Sequence, residues 1–100
     1  MQIDKLRGEQ LDQLFEAILS LETKEECYRF FDDLATMNEV HSFAQRFQVA
    51  KMLVDGQTYQ AIEDQTKAST ATISRIRRCI NYGNGGYEMA LERMKGKDDA

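Results

Sequence analysis

The segment from Ser69 to Ile80 combines short hydroxyl side chains with three arginines, a combination suited to contact with nucleic acid. The hydroxyl side chains belong to Ser69, Thr70, Thr72 and Ser74, and the arginines are Arg75, Arg77 and Arg78. A guanidinium can neutralise a phosphate or bind guanine, and a hydroxyl can donate to or accept from base and backbone groups. Small side chains, among them Ala71, let the start of a helix approach base edges closely, and its dipole favours nearby phosphate. These residue types predict contact with duplex DNA.

Charge is distributed unevenly along the chain. The 100 residues include 17 acidic and 13 basic side chains, for a formal net charge of −4. Residues 67–87 nevertheless contain no acidic residue, and their basic residues are Lys67, Arg75, Arg77 and Arg78. The distribution of charge matters more than its sum for association with a polyanion. The basic window therefore strengthens the prediction of DNA contact.

Two short helices are needed to position these groups. The first is capped by Thr58 and runs to about Gln65, and the second is capped by Ser69 and runs to Tyr82. Two short helices joined by a turn of three or four residues are typical of the DNA-binding helix-turn-helix. We therefore predict this motif over Tyr59–Tyr82. A basic helix that is merely solvated would favour Glu and Lys, which are better helix formers than Ser and Thr.

The second helix has two distinct faces. Ile73, Ile76 and Ile80 recur at helical spacing and should pack on the rest of the protein. The residues expected on the opposite face are Thr70, Ala71, Ser74, Arg77 and Arg78. Two positions depart from the common pattern of the motif, since Lys67 replaces a glycine in the turn and Glu63 replaces an alanine in the first helix. We expect a positive φ at Lys67, at a modest energetic cost.

The remaining helices are predicted from apolar spacing and capping residues. They are Glu9–Leu21, a helix that opens at the capping-box pair Thr23 and Glu26, a helix from its cap Asn38 to about Asp55, and Gly86–Lys95. No segment alternates with period two. The predicted fold class is all-α, with six helices in a single domain over residues 1–95 and a flexible tail over residues 96–100.

The third helix has apolar residues around most of its circumference. They include Val40, Phe43, Phe47, Val49 and Leu53. A helix of this kind is covered from several sides, and a chain of 100 residues supplies little cover. A homodimer is therefore expected.

Other functional classes find little support in the sequence. Cys27, Cys79 and the single histidine His41 cannot assemble a tetrahedral zinc site. His41 and Ser42 are adjacent on a helix and point apart, and Gly83–Gly86 suits a helix connector better than a phosphate-binding loop. We expect no enzyme activity, no metal and no catalytic residue. Without a long apolar run or a signal peptide, a soluble, cytoplasmic protein is expected.

The segment from Arg46 to Ile80 resembles the Trp repressor superfamily, and especially its Trp-repressor-like branch in Gram-positive bacteria. The resemblance lies in Met52–Gly56 and Ala68–Arg75, and for the branch it extends through Arg78–Asn84. It implies an intertwined homodimer in which the third and last helices interlock. It also implies two recognition helices that enter successive major grooves.

The resemblance also implies roles for individual residues. Thr70, Ala71 and Ser74 correspond to positions that contact base edges, and Ser69 and Thr72 to positions that contact the DNA backbone. With the basic side chains, the predicted DNA-binding set is Lys67, Ser69, Thr70, Ala71, Thr72, Ser74, Arg75, Arg77 and Arg78. The predicted dimer core is Val40, Phe43, Phe47, Ala50, Leu53, Tyr87 and Leu91.

A small-molecule pocket is a further implication of the resemblance. Arg46 and Arg75 match the two arginines between which the Trp repressor holds the indole of its corepressor. Ile76 and Cys79, however, stand where the family has a glycine and a serine, and the branched Ile76 leaves no room for a bicyclic ring. Tryptophan is therefore not expected as the effector, while another anionic or planar molecule remains open. The two arginines could instead contact phosphate or form a salt bridge, for instance with Glu39 or Glu63.

These patterns favour a sequence-specific duplex-DNA-binding transcription regulator, most simply a repressor, that acts as a homodimer. The alternative is a helix-turn-helix that mediates protein interaction without binding DNA directly. The dependence of binding on salt separates the two, because phosphate contacts release counterions.

Overall fold

The computed structural model of this protein describes the backbone of residues 1–98 and the side chains of residues 1–96. A 3-10 helix at Gln2–Leu6 precedes six α-helices: α1 (Glu9–Leu19), α2 (Lys24–Leu34), α3 (Met37–Val54), α4 (Tyr59–Thr66), α5 (Thr70–Tyr82) and α6 (Gly86–Asp98). Residues 1–98 contain no β-strand, so the predicted all-α class with six helices is confirmed. None of these helices combines the length and apolar content that crossing a bilayer requires.

The chain is divided into two compact units. One comprises Met1–Val40 and the other begins at His41. The single domain predicted over residues 1–95 stays a prediction. α6 continues to Asp98, three residues beyond its predicted end at Lys95, and residues 99–100 of the predicted tail lie outside the described residues.

The start of α3 differs from the prediction. The Thr36 Oγ1 accepts a hydrogen bond from the Glu39 N–H at 3.1 Å, and the Thr36 N–H donates to the Glu39 carboxylate at 2.9 Å. This reciprocal pair is a capping box, so the predicted cap at Asn38 is wrong and Asn38 lies inside the helix. The hydrogen bond from the Thr36 N–H is the main reason that the pKa of Glu39 lies below its usual value. A hydrogen bond with the Thr36 hydroxyl lowers this pKa further.

The end of α3 follows the prediction. Gly56 adopts a left-handed conformation with φ of 85°, which glycine reaches without steric cost. The Gly56 N–H donates to the Leu53 carbonyl at 3.1 Å, and the Gln57 N–H donates to the Met52 carbonyl at 3.0 Å. These two bonds satisfy carbonyls that the helix end would otherwise leave free.

The core of the second unit lies between α3, α4 and α5. Its buried side chains are Val49, Ala50, Met52, Leu53, Ile62, Ala68, Ile73 and Ile76, with Ile80 and Tyr87 packed against them. Ile62, Ile73 and Val49 are the largest side chains that are fully buried. The helix-turn-helix is therefore mounted on the C-terminal half of α3, as the Ile73, Ile76 and Ile80 spacing predicted.

Large apolar side chains outside this core stay exposed in the single chain. Leu19 is 84% exposed and Met37 is 86% exposed, and neither α1 nor α2 has any buried residue. On α3, Val40, Phe43 and Val54 are exposed as well. Of α3, a single chain buries only Val49, Ala50, Met52 and Leu53, so the cover expected from a second copy stays a prediction.

Candidate nucleic-acid interface

The turn between α4 and α5 begins at Lys67, which adopts a left-handed conformation with φ of 62° and ψ of 15°. The Lys67 N–H donates to the Glu63 carbonyl at 2.9 Å, which closes the last turn of α4. The expected positive φ at this non-glycine residue is confirmed. Such a conformation costs roughly 1–2 kcal/mol for a residue with a Cβ.

Side-chain hydrogen bonds hold the turn against its supporting helix. The Thr66 hydroxyl donates to the Ile62 carbonyl at 2.7 Å and accepts from the Ala68 N–H at 3.2 Å. The Gln45 amide, on α3, donates to the Thr66 carbonyl at 3.0 Å. Because Ala68 is also buried, the position of α5 relative to α4 is well determined.

Ser69 caps α5, as predicted. Its Oγ accepts from the Thr72 N–H at 3.1 Å and donates to the Thr72 Oγ1 at 3.1 Å. These two bonds hold the Ser69 side chain at the start of α5, where it satisfies a backbone N–H that the helix itself leaves free.

The predicted DNA-binding residues are distributed over one side of the motif. Lys67, Ser69, Thr70, Ala71, Ser74, Arg75 and Arg78 are exposed, and Thr72 and Arg77 are half-buried. Ile73 and Ile76 lie in the core on the opposite face. In the described part of the chain none of the four basic residues of this set forms a salt bridge. Their charges are therefore not neutralised by any described acidic residue.

Two residues that the sequence reasoning did not include extend this surface. Asn81 and Tyr82 line a shallow groove with Ala71, Ser74, Arg75, Arg77 and Arg78. They follow Arg78 by three and four residues, the spacing that places side chains on one helix face, and this spacing could have identified them. Gly83 then ends α5, where a Cβ would collide with the Cys79 carbonyl oxygen.

Glu63 is a further residue of the surface that was not predicted to take part. It is half-buried on α4, and its Oε1 accepts a hydrogen bond from the Thr70 hydroxyl. Thr70 is the first residue of α5. A carboxylate therefore sits beside a side chain predicted to contact base edges.

The residues of the predicted effector pocket come together in the structure. Arg46, Arg75, Ile76 and Cys79 line a cleft of about 200 Å³ with Ser42, Gln45, Thr72 and Tyr87. Small-molecule sites in proteins usually occupy roughly 300–1,000 Å³. Ile76 is only 3% exposed, so its side chain occupies a position in the wall and cannot easily move aside.

The ionisable groups that line this cleft include the guanidinium groups of Arg46 and Arg75 and the phenol of Tyr87. Neither arginine has a salt bridge within the described residues, so the suggested pairing with Glu39 or Glu63 is wrong. The Arg46 guanidinium lies 6.0 Å from the centre of the Phe43 ring. Burial raises the pKa of Tyr87, with a further contribution from Cys79.

The predicted dimer-core residues fall into three groups in the single chain. Ala50, Leu53 and Leu91 are buried. Phe47 and Tyr87 are partly buried, and their ring centres lie 6.4 Å apart. Val40 and Phe43 are 37% and 52% exposed. Only the second and third groups leave side-chain surface that a partner could cover.

The chain is similar to proteins from Bacillus, Staphylococcus and Eubacterium. It is 68% identical over 95 residues to the uncharacterised protein YerC of Bacillus subtilis, covering 95% of this chain and 91% of that protein. A Staphylococcus aureus protein, described provisionally as a Trp repressor, has a crystal structure that matches with a TM-score of 0.93 at 60% identity, over 95% of each chain.

A second solved structure agrees. A TrpR-like protein from Eubacterium eligens matches with a TM-score of 0.89 at 52% identity, over 92% of this chain and 95% of that one. The family model of the Trp repressor protein matches residues 9–95, a range that includes the whole helix-turn-helix. The chain described here belongs to the Trp repressor family.

Proposed function

We propose that this protein is a sequence-specific duplex-DNA-binding transcription regulator that acts as a homodimer and represses its targets. The observation that carries the proposal is the face of α5 opposite the core, where hydroxyl side chains and unpaired arginines are presented together. This chemistry matches base edges and phosphates. Membership of a family named for a repressor supports the same function.

Within this proposal the residues divide by role. Thr70, Ala71 and Ser74, at the exposed start of α5, contact base edges. Ser69 and Thr72 contact the DNA backbone, because hydroxyl groups can donate to phosphate oxygens. The basic side chains Lys67, Arg75, Arg77 and Arg78 neutralise phosphates or bind guanine.

The homodimer explains the exposed apolar side chains. Helices of 11 residues, the length of α1 and α2, are marginal in water without packing, yet neither buries a side chain in the single chain. On α3, the apolar side chains of Phe43 and Val40 are also exposed in the single chain. A second copy that interlocks with the first through α3 and α6 would provide that cover and present two α5 helices to the DNA.

The cleft beside α5 is unsuited to tryptophan. Ile76 fills part of its wall and the remaining volume is small, whereas Arg46 and Arg75 offer two uncompensated charges to an anionic or planar molecule. We expect that tryptophan at millimolar concentration leaves the affinity for DNA unchanged, as measured by fluorescence anisotropy with a labelled duplex.

A salt titration tests the proposed function. The four basic side chains of each motif would give a dimer about eight phosphate contacts. The logarithm of the association constant should then fall against the logarithm of salt concentration with a slope near −7. Binding of duplex DNA with a slope close to zero, or no binding at 50 mM salt, would contradict the proposal. The latter result would favour the alternative, a helix-turn-helix that binds only protein.

A further inference from the structure

The side chain of Glu63 bridges the two helices of the motif at the position where the DNA-contacting helix begins. Its Oε1 accepts a hydrogen bond from the Thr70 hydroxyl, and its backbone carbonyl accepts one from the Lys67 N–H. The residue is thus tied to α5 by its side chain and to the turn by its backbone. Thr70 itself is exposed. We call Glu63 and Thr70 the acceptor pair.

The hydrogen-bonding capacity of Thr70 is restricted by this contact. A threonine hydroxyl has one proton and two lone pairs, and an ionised carboxylate has only acceptors. The proton between the two side chains must therefore come from Thr70. What remains on the Thr70 oxygen is acceptor capacity alone.

Base edges in the major groove respond differently to a pure acceptor. Guanine presents N7 and O6 and thymine presents O4, all of which are acceptors. Cytosine N4 and adenine N6 carry amino groups that donate. An acceptor on Thr70 is therefore matched by cytosine or adenine and mismatched by guanine or thymine.

The Glu63 carboxylate favours the same bases as the Thr70 oxygen. No described residue forms a salt bridge with Glu63, so its negative charge lies uncompensated next to the start of α5. A carboxylate accepts from the cytosine amino group but repels the oxygen and nitrogen lone pairs of guanine. It also repels phosphate, which discourages Thr70 from binding the DNA backbone instead.

We propose that Glu63 and Thr70 together form a specificity element that selects a base bearing an exocyclic amino group, cytosine or adenine, at the position facing Thr70. Glu63 sets the direction of the Thr70 hydroxyl, and Thr70 contacts the base. The inference rests on the proposed function, since it concerns which sequence a DNA-bound α5 prefers.

The experiment compares base preferences among four proteins. Sites are selected from random duplex DNA with the wild-type protein, and the affinity for all four base pairs is then measured at every position of the enriched site. The same panel is measured with Thr70→Val, Glu63→Gln and Asp64→Asn. Asp64→Asn is the matched control, because it removes the same charge from the same helix while its carboxylate contacts Gln60, 3.0 Å away, rather than Thr70.

One position in each half-site should favour cytosine or adenine by roughly three- to tenfold with the wild-type protein, the contribution of one hydrogen bond. Thr70→Val should remove the preference at that position alone. Glu63→Gln introduces a donor and should move the preference toward guanine or thymine, while Asp64→Asn should leave every preference unchanged. Circular dichroism of the variants should match the wild type, since the Thr70 side chain is exposed and Glu63→Gln preserves shape.

Three outcomes would overturn the acceptor pair. In the first, the position that responds to Thr70→Val favours guanine or thymine in the wild-type site. In the second, neither Thr70→Val nor Glu63→Gln changes any preference although the wild-type protein binds selectively. In the third, Asp64→Asn produces the same change as Glu63→Gln. A wild-type protein that selects no sequence at all would instead overturn the proposed function, and the inference with it.

Discussion

Removal of the two arginines at the middle of α5 tests the proposed contact with DNA. Arg77 is half-buried and Arg78 is exposed, and neither forms a salt bridge in the described residues. The double variant Arg77→Ala/Arg78→Ala therefore removes charge from the proposed DNA-binding surface without leaving a partner unpaired. It should greatly weaken DNA binding and leave the fold and the proposed dimer intact.

The size of the effect follows from counting cations. Each chain presents four basic side chains in the motif, Lys67, Arg75, Arg77 and Arg78. A dimer of the variant keeps half of them, so the slope of the logarithm of affinity against the logarithm of salt should change from about −7 to about −3.6. Between 50 and 200 mM salt, affinity should then fall about 10⁴-fold for the wild type and about 10²-fold for the variant.

The assay is fluorescence anisotropy with a labelled duplex at several salt concentrations. The matched control is Lys24→Ala/Arg29→Ala, which removes the same charge from α2. If contact with phosphate is what matters, the control should keep a slope near −7. An unchanged slope for the Arg77/Arg78 variant, or an equal change in the control, would refute the assignment of α5 as the DNA-contacting helix.

Three further expectations concern the fold and the dimer. Ile73→Ala should reduce the free energy of unfolding by about 2–5 kcal/mol in a denaturant titration, because the side chain is fully buried; a loss no larger than that of the exposed control Ile3→Ala would contradict the core. Lys67→Gly should raise the free energy of unfolding by roughly 0.5–1 kcal/mol, since relief of the left-handed strain at Lys67 exceeds the entropy cost of glycine. A lower thermal midpoint for this variant would contradict that expectation. Phe43→Asp should shift the sedimentation coefficient toward that of a monomer or leave the chain aggregated; a stable dimer with native circular dichroism would show that Phe43 lies outside the interface.

Local signals in the sequence were sufficient for the helix-turn-helix. Thr58 and Ser69 cap their helices as predicted, and Gly56 ends α3. These outcomes depend on hydrogen bonds within three or four residues. Asn38 is a common capping residue, but Thr36 and Glu39 have the spacing of a capping box, which is stronger because it satisfies two backbone donors.

The features that the sequence did not reveal depend on geometry between helices. Glu63 and Thr70 are seven residues apart and meet only because the left-handed Lys67 turns the chain between them. Helical spacing predicts that Ile76 is buried, but it does not predict the size of the cleft that Ile76 lines, since Tyr87 on α6 forms part of the wall. Periodicity identified α3 as apolar around most of its circumference, but it could not show which of these side chains a single chain buries.

The central claim is that two copies of α5 bind specific sequences in successive major grooves. Selection of bound sequences from random duplex DNA, followed by sequencing, tests it most directly. We predict a palindrome whose half-sites are centred about 34 Å, or ten base pairs, apart, with enrichment that the Arg77→Ala/Arg78→Ala protein does not produce. No enrichment, or an enriched sequence without two-fold symmetry, would contradict the account.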